Sequence, residues 1–153
     1  MVIDANFQTP LWCCEKMVSL LPDNISMVLE PTPGEGNLAA TLEKKYNVIR
    51  ANGDFFQFKF DSQIDAVVMN PPFSPMKKGY EILDICMEKV DVIIALMPWL
   101  TIINSNKRAQ KIKEFGLQKV IHLPRSTFKG SRVQTCLISL VKKFNGNTIF
   151  EIL

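Results

Sequence analysis

Apolar residues along this chain alternate between a helical rhythm and short continuous runs. After Thr9-Pro10, where threonine can cap and proline suits a first helical position, Leu11 to Leu21 reads as a helix closed by Pro22. Ile25 to Leu29 is a short apolar strand, Pro31 to Gly36 a turn and Asn37 to Lys45 a second helix. Val48-Ile49 is a very short strand. Ile64 to Met69 and Val92 to Met97 are continuous and apolar, as expected of strands buried on both faces. A helix is predicted between them over Gly79 to Lys89, and a basic helix over Asn106 to Phe115, ended by Gly116. Lys119 to Leu123 and Thr135 to Val141 read as strands. Asn145-Gly146-Asn147, between two apolar runs, predicts a hairpin into an antiparallel edge strand over Asn147 to Ile152.

Strands alternating with helices imply an α/β fold, a mostly parallel, doubly wound sheet with an antiparallel C-terminal strand. The 153 residues suit one domain, with no internal repeat, linker or low-complexity segment. No apolar run reaches 18 residues, so no membrane span is expected. The first residues lack the basic-then-apolar pattern of a secretory signal, which makes a cytoplasmic location the default expectation.

Composition adds two points. Four cysteines and a single histidine, His122, form no C-x-x-C pair, so free buried thiols are expected, and no metal site. His122 lies in an apolar strand and is expected to be structural. The net charge of +3 hides an asymmetry. Residues 1–76 hold five basic and nine acidic side chains, net −4, whereas residues 77–153 hold thirteen and six, net +7. A basic half suggests a polyanionic partner. Lys77, Lys78, Lys129 and Arg132 are the candidate nucleic-acid contacts, with Lys107, Arg108, Lys111, Lys113 and Arg125 as further cations near strand ends or on one helix.

Two segments carry candidate chemistry. Ligands of open α/β sheets sit at the carboxyl ends of the strands. There, Glu30-Pro31-Thr32-Pro33-Gly34-Glu35-Gly36 follows the first strand. It is neither a dinucleotide fingerprint nor a P-loop. Its carboxylates would repel phosphate and suit a ligand bearing amine or sulfonium charge. Asn70-Pro71-Pro72-Phe73 follows the Ile64–Met69 strand. The prolines fix the backbone and leave carbonyls that no local N–H occupies. Asn70 Oδ1 and the Pro71 carbonyl can then accept both hydrogens of an –NH₂ group, while Phe73 offers a face for an aromatic base.

These motifs, in this order, resemble the class I S-adenosylmethionine-dependent methyltransferases that modify adenine-N6 in DNA. Phe7-Gln8-Thr9-Pro10 looks like the family's N-terminal cofactor motif, the segment from Leu29 to Leu38 its glycine loop, and Asn70-Pro71-Pro72-Phe73 its catalytic motif. Gly53-Asp54-Phe55 looks like the motif whose aspartate meets the cofactor adenine amine and whose phenylalanine packs on that ring. Leu96-Met97-Pro98-Trp99, the stretch from Leu123 to Phe128, and Gly130 to Lys143 look like later family segments, the last bordering the target base. The resemblance implies a Rossmann-like fold and S-adenosylmethionine as cofactor. It implies a cofactor site from Phe7, Thr9, Pro10, Glu30, Pro31, Gly34, Gly36, Asn52, Asp54, Phe55 and Asn70, and a catalytic set of Asn70, Pro71, Pro72 and Phe73.

The chain departs from the family in two places. Val48 to Asn52 runs directly into Gly53-Asp54, so a strand–helix unit after the second strand is missing, and with it the acid that meets the cofactor ribose; Asn52 is the nearby polar stand-in. No target-recognition domain is present within the 153 residues, so a separate recognition subunit or a homodimer would supply specificity for DNA. Phe73 in place of tyrosine, together with Phe7-x-Thr9-Pro10, favours DNA over RNA adenine or a glutamine side chain. A non-catalytic binding subunit with the same fold is the alternative from another class. A cytosine-C5 mechanism is disfavoured because no cysteine follows a proline.

Overall fold

A computed structural model describes residues 8–153. Its seven strands are β1 (Met27–Glu30), β2 (Asn47–Arg50), β3 (Ala66–Met69), β4 (Val92–Pro98), β5 (Leu117–His122), β6 (Thr135–Val141) and β7 (Ile149–Ile152). Its helices are α1 (Leu11–Ser19), α2 (Asn37–Glu43), α3 (Met76–Lys89), the single turn α4 (Leu100–Ile103) and α5 (Asn106–Phe115). The strands form one sheet in the order β2-β1-β3-β4-β6-β5-β7. Pairing is parallel from β2 through β1 and β3 to β4, and antiparallel where β6 lies between β4 and β5. This is the mostly parallel α/β sheet that the alternating pattern predicts, in the Rossmann-like form that the resemblance implies.

The hairpin expectation is corrected at the C-terminus. The antiparallel strand is β6, whereas β7 pairs parallel with β5 at the sheet edge. Both edges of β6 already bond to β4 and β5, so the turn after it has no free ladder to fold back on. The chain passes over β5 instead. Glu151 is held there by Lys119 of β5 at 3.0 Å and by Lys16 of α1 at 3.9 Å. The local hairpin signal yields to a pairing set elsewhere in the chain.

Side-chain alternation explains the continuous apolar runs. In β3, Val67 and Met69 point to one face and Ala66 and Val68 to the other; in β4, Ile93, Ala95 and Met97 oppose Val92, Ile94 and Leu96. The first face is covered by Ile82, Leu83 and Cys86 of α3 and Ile112 of α5. The second is covered by Cys13, Cys14 and Met17 of α1 and Leu38 and Leu42 of α2. All four cysteines are free and buried. Desolvation pushes the thiols of Cys13, Cys86 and Cys136 up to about 12 and that of Cys14 to about 11, which leaves them poor nucleophiles. Among the described residues, no helix is long and apolar enough to cross a membrane.

β2 ends the sheet, and the chain returns to β3 without an intervening strand or α-helix. An aromatic cluster fills the space. Phe60 meets Phe55 edge-on at 6.1 Å and Phe58 at 5.3 Å, and Phe55 packs into the core face shared with α3. These contacts cover apolar surface that a further helix would otherwise shield. Phe60→Ala is expected to cost roughly 2 kcal/mol, less than a fully buried phenylalanine because Phe60 is only partly buried. Urea denaturation checks it: an unchanged midpoint would show that the cluster contributes nothing to holding this edge.

Candidate functional site

The carboxyl ends of β1, β2 and β3 open into one cleft of about 480 Å³. Its deepest polar group is Glu30, the last residue of β1, only 1% exposed. The Thr32 backbone N–H donates to Glu30 Oε1 at 2.8 Å. Burial pushes the Glu30 carboxyl up to about 8; the hydrogen bonds from Thr32 and the charge of Arg50 oppose this and recover only part of it. The single hydroxyl proton of Thr32 is shared between Glu30 Oε1 at 3.5 Å and the Asn70 carbonyl at 3.4 Å, which ties the β1 loop to the β3 exit.

Asn70 follows β3 directly. Its Nδ2 donates to Thr9 Oγ1 at 2.9 Å, a bond between residues far apart in sequence. The expectation that Thr9 caps α1 is corrected here. Pro10 is the N-cap, and its carbonyl accepts from Cys13 and Cys14 N–H. The helix starts at Leu11, where the pattern places it, and ends at Ser19, and the Thr9 hydroxyl is used across the cleft. The Thr9 carbonyl in turn lies 3.4 Å from Asn37 Nδ2 of α2, so Thr9 links three segments at once.

Pro71, Pro72 and Phe73 continue the cleft wall. Behind them α3 begins at Met76, earlier than the glycine at which the pattern placed it. Gly79 is consequently a helix-interior residue, and a Cβ there would stand 2.9 Å from the Pro72 carbonyl oxygen. The missing side chain allows α3 to press against the Asn-Pro-Pro turn. A mid-helix glycine costs about 1 kcal/mol against alanine, and that unfavourable choice is the signal that could have marked Gly79 as a positioning residue.

The opposite wall comes from Ala51, Asn52, Gly53, Asp54 and Phe55. Asp54 caps the short 3-10 turn Phe55–Gln57, its Oδ1 accepting from the Phe56 N–H at 3.0 Å. Arg50, where β2 ends, is turned away to pair with Glu43. Its guanidinium packs against Gly36, where a Cβ would meet Nη1 at 2.6 Å; Gly36 has a φ of +93° and serves as the N-cap of α2.

Of the sequence-predicted cofactor residues, the cleft gathers Thr9, Glu30, Pro31, Gly34, Asn52, Asp54, Phe55 and Asn70. Pro10 and Gly36 shape the surrounding turns and do not line it, and Phe7 lies outside the described residues. All four predicted catalytic residues, Asn70 to Phe73, line it. Lys78 lines it as well, while neighbouring Lys77 pairs with Glu81. Lys129 is exposed outside the cleft, and Arg132 borders a second concavity. Arg108 is committed to structure: it lies over the Tyr80 ring at 3.7 Å and donates to the Thr101 carbonyl at 2.8 Å. Ile82 is a lining residue that sequence reading missed, whereas Gln8, Thr32, Leu38 and Phe128 fall inside the motif segments without being singled out there. Phe128 arrives from the loop before β6, a proximity that no local pattern encodes.

Several solved structures have a similar fold. A Listeria monocytogenes protein assigned to the class I S-adenosylmethionine-dependent methyltransferases superposes with a TM-score of 0.80 at 15% identity, over 100% of this chain and 68% of that one. A type I restriction-modification methyltransferase subunit from Streptococcus thermophilus gives 0.75 at 17% identity, over 95% of this chain and 47% of that one. The 23S rRNA methyltransferase ErmE gives 0.68 at 16% identity, over 90% and 70%. This chain thus spans about half the length of the restriction-modification subunit. No protein-family model matches the sequence, and comparison with curated proteins finds no relative. At these identities the likeness establishes the fold, that of the class I methyltransferases.

Glu30 yields a measurable consequence. The folded carboxyl keeps its proton to about pH 8, whereas an ordinary one releases it near 4.5. The folded state binds the extra proton in that interval, so its stability falls as pH rises through it. Glu30→Gln keeps an acceptor for Thr32 and removes the titration. Its melting temperature should therefore gain on wild type as pH is raised from about 5 to about 8.5. Parallel melting curves for the two proteins across that range would show that Glu30 is not desolvated.

Proposed function

We propose that this chain transfers the methyl group of S-adenosylmethionine to an exocyclic amine of a nucleic acid, with adenine-N6 in DNA as the favoured target. The observation that carries the reading is the Asn70-Pro71-Pro72-Phe73 turn in the cleft wall, with the Asn70 amide anchored by Thr9. The similarly folded structures named for type I restriction-modification and for 23S rRNA methylation support a nucleic-acid substrate.

The cleft suits the cofactor in size and in charge. Its volume falls within the roughly 300–1,000 Å³ of small-molecule pockets. Glu30 at its depth meets a cationic ligand by giving up its proton, which favours binding as pH rises. Asp54, Phe55 and Asn52 stand on the wall where the cofactor's adenosine would lie. When bound, S-adenosylmethionine supplies an electrophilic methyl group on a sulfonium.

The chain's own contribution is position and fixed dipoles. With Nδ2 donated to Thr9, the Asn70 amide is held in one orientation. Its Oδ1 and the Pro71 carbonyl accept the two hydrogens of the target amine, which directs the nitrogen lone pair toward the methyl group. Phe73 and Phe128, both on the cleft wall, offer aromatic faces to a flipped-out base. Lys78 at the same wall suits a neighbouring phosphate.

Asn70→Ala removes one preorganised acceptor and is expected to lower turnover by roughly 10²–10³ with little change in cofactor affinity. Labelled-methyl transfer to DNA, RNA and protein pools identifies the substrate, and the variant is then assayed on it. Equal rates for wild type and variant would sink the mechanism. Binding of DNA through the basic half should weaken steeply with salt, and Lys129→Glu should weaken it across all sequences; affinity indifferent to ionic strength would remove nucleic acid from the proposal. A second reading, a non-catalytic subunit of the same fold, is favoured by one observation: β2 ends in Arg50 rather than an acid for the ribose. Calorimetry separates the two, because absence of cofactor heat at millimolar S-adenosylmethionine would leave only the non-catalytic role.

A further inference from the structure

A second concavity, of about 510 Å³, is lined by Met76, Trp99, Leu100, Ile103, His122 and Arg132, with Val133-Gln134 closing one side. Trp99 is fixed within it. Its indole N–H donates to His122 Nδ1 at 2.8 Å, its backbone N–H donates to the Gln134 carbonyl at 2.9 Å, and its ring lies 5.9 Å from that of Phe150. Leu100 and Ile103, one helical turn apart in α4, are 41% and 67% exposed. The result is a rigid aromatic surface beside an open apolar wall.

The surrounding charge is one-sided. Arg132 is the charged residue of the lining, and no carboxylate contributes to it among the described residues. The Arg125 guanidinium donates to the Arg132 backbone carbonyl at 3.4 Å, which brings a second cation to the same loop. Met76 opens α3 only three residues after Phe73, so the slot adjoins the Asn-Pro-Pro-Phe turn. An apolar slot with an immobilised indole and a cationic rim suits a flat, apolar-faced group that carries negative charge.

We propose that this slot holds a second, non-reacting nucleotide of the substrate strand, its base against Trp99 and its phosphate near Arg132. The inference rests on the nucleic-acid reading above and extends it: the strand is gripped at one nucleotide beside the one that reacts. Base–aromatic stacking tolerates any sequence because every base has a flat face, so the slot adds hold without adding specificity. The exposed Phe150 and Ile152 continue the apolar surface beyond the slot, at 56% and 70% exposure, and a second protein chain could cover that surface instead. The cationic rim favours the nucleotide.

The test uses Trp12→Phe protein, which leaves Trp99 as the one indole, since the sequence has two tryptophans. A short single-stranded oligodeoxyadenylate should quench Trp99 emission on binding. Ile103→Glu in that background should weaken binding of the labelled oligonucleotide, read by anisotropy, by about tenfold or more. Arg132→Gln should make the affinity less salt-dependent. Cofactor calorimetry on each variant reports an intact fold and cleft. Oligonucleotide binding that neither quenches Trp99 nor responds to Ile103→Glu overturns the slot and leaves the methyltransferase reading standing. Self-association that Ile103→Glu abolishes, with no quenching, makes this surface a protein interface and also overturns the proposal. Cofactor heat without any oligonucleotide binding removes the nucleic-acid substrate and the slot together.

Discussion

The chemistry of this fold depends on a short chain of hydrogen bonds at the carboxyl ends of β1 and β3. Glu30 accepts from Thr32, the Thr32 hydroxyl reaches the Asn70 carbonyl, and the Asn70 amide donates to Thr9. This chain of bonds does three things. It satisfies polar atoms that the sheet has carried into a dry environment, it fixes the direction of the Asn70 amide, and it joins the segment before α1 to the centre of the sheet. Each link is modest alone, about 1 kcal/mol net. Breaking one leaves a desolvated group unpaired, and that asymmetry makes the set rigid.

Glu30 shows the opposition between stability and ligand binding. A carboxyl at 1% exposure, raised to about 8, weakens the fold at neutral and alkaline pH. Perturbed groups of this kind concentrate in functional clefts. The burial that raises its proton affinity also strengthens its interaction with a positive charge placed in the cleft, because little solvent screens the pair.

The edge beyond β2 is economical. Where a longer fold would place another strand and helix, this chain has a 3-10 turn and the edge-on cluster of Phe55, Phe58 and Phe60. Asp54 serves that turn as its cap while also lining the cleft, so one residue belongs to both the edge and the site. Arg50 faces Glu43 and Gly36 instead of the cleft, which leaves Asn52 and Asp54 as the polar groups of that wall.

The sequence by itself determined the layer architecture. Runs such as Ala66–Met69 and Val92–Pro98 alternate between two buried faces, and only a sheet covered on both sides satisfies them. It also marked the Glu30 loop and the Asn70 turn, because prolines, glycines and carboxylates at strand ends are local signals with local causes. Tertiary structure decided what depends on residues far apart in the chain. The hairpin suggested by Asn145-Gly146-Asn147 failed because both edges of β6 were already taken, so β7 joined β5. Thr9 reads locally as a helix cap, yet its hydroxyl is drawn to Asn70. Gly79 looks like a helix start until the Pro72 carbonyl is found 2.9 Å from where its Cβ would stand. Phe128 reaches the cleft only because β6 is laid against β4, a pairing settled by the whole sheet and by no short stretch of sequence.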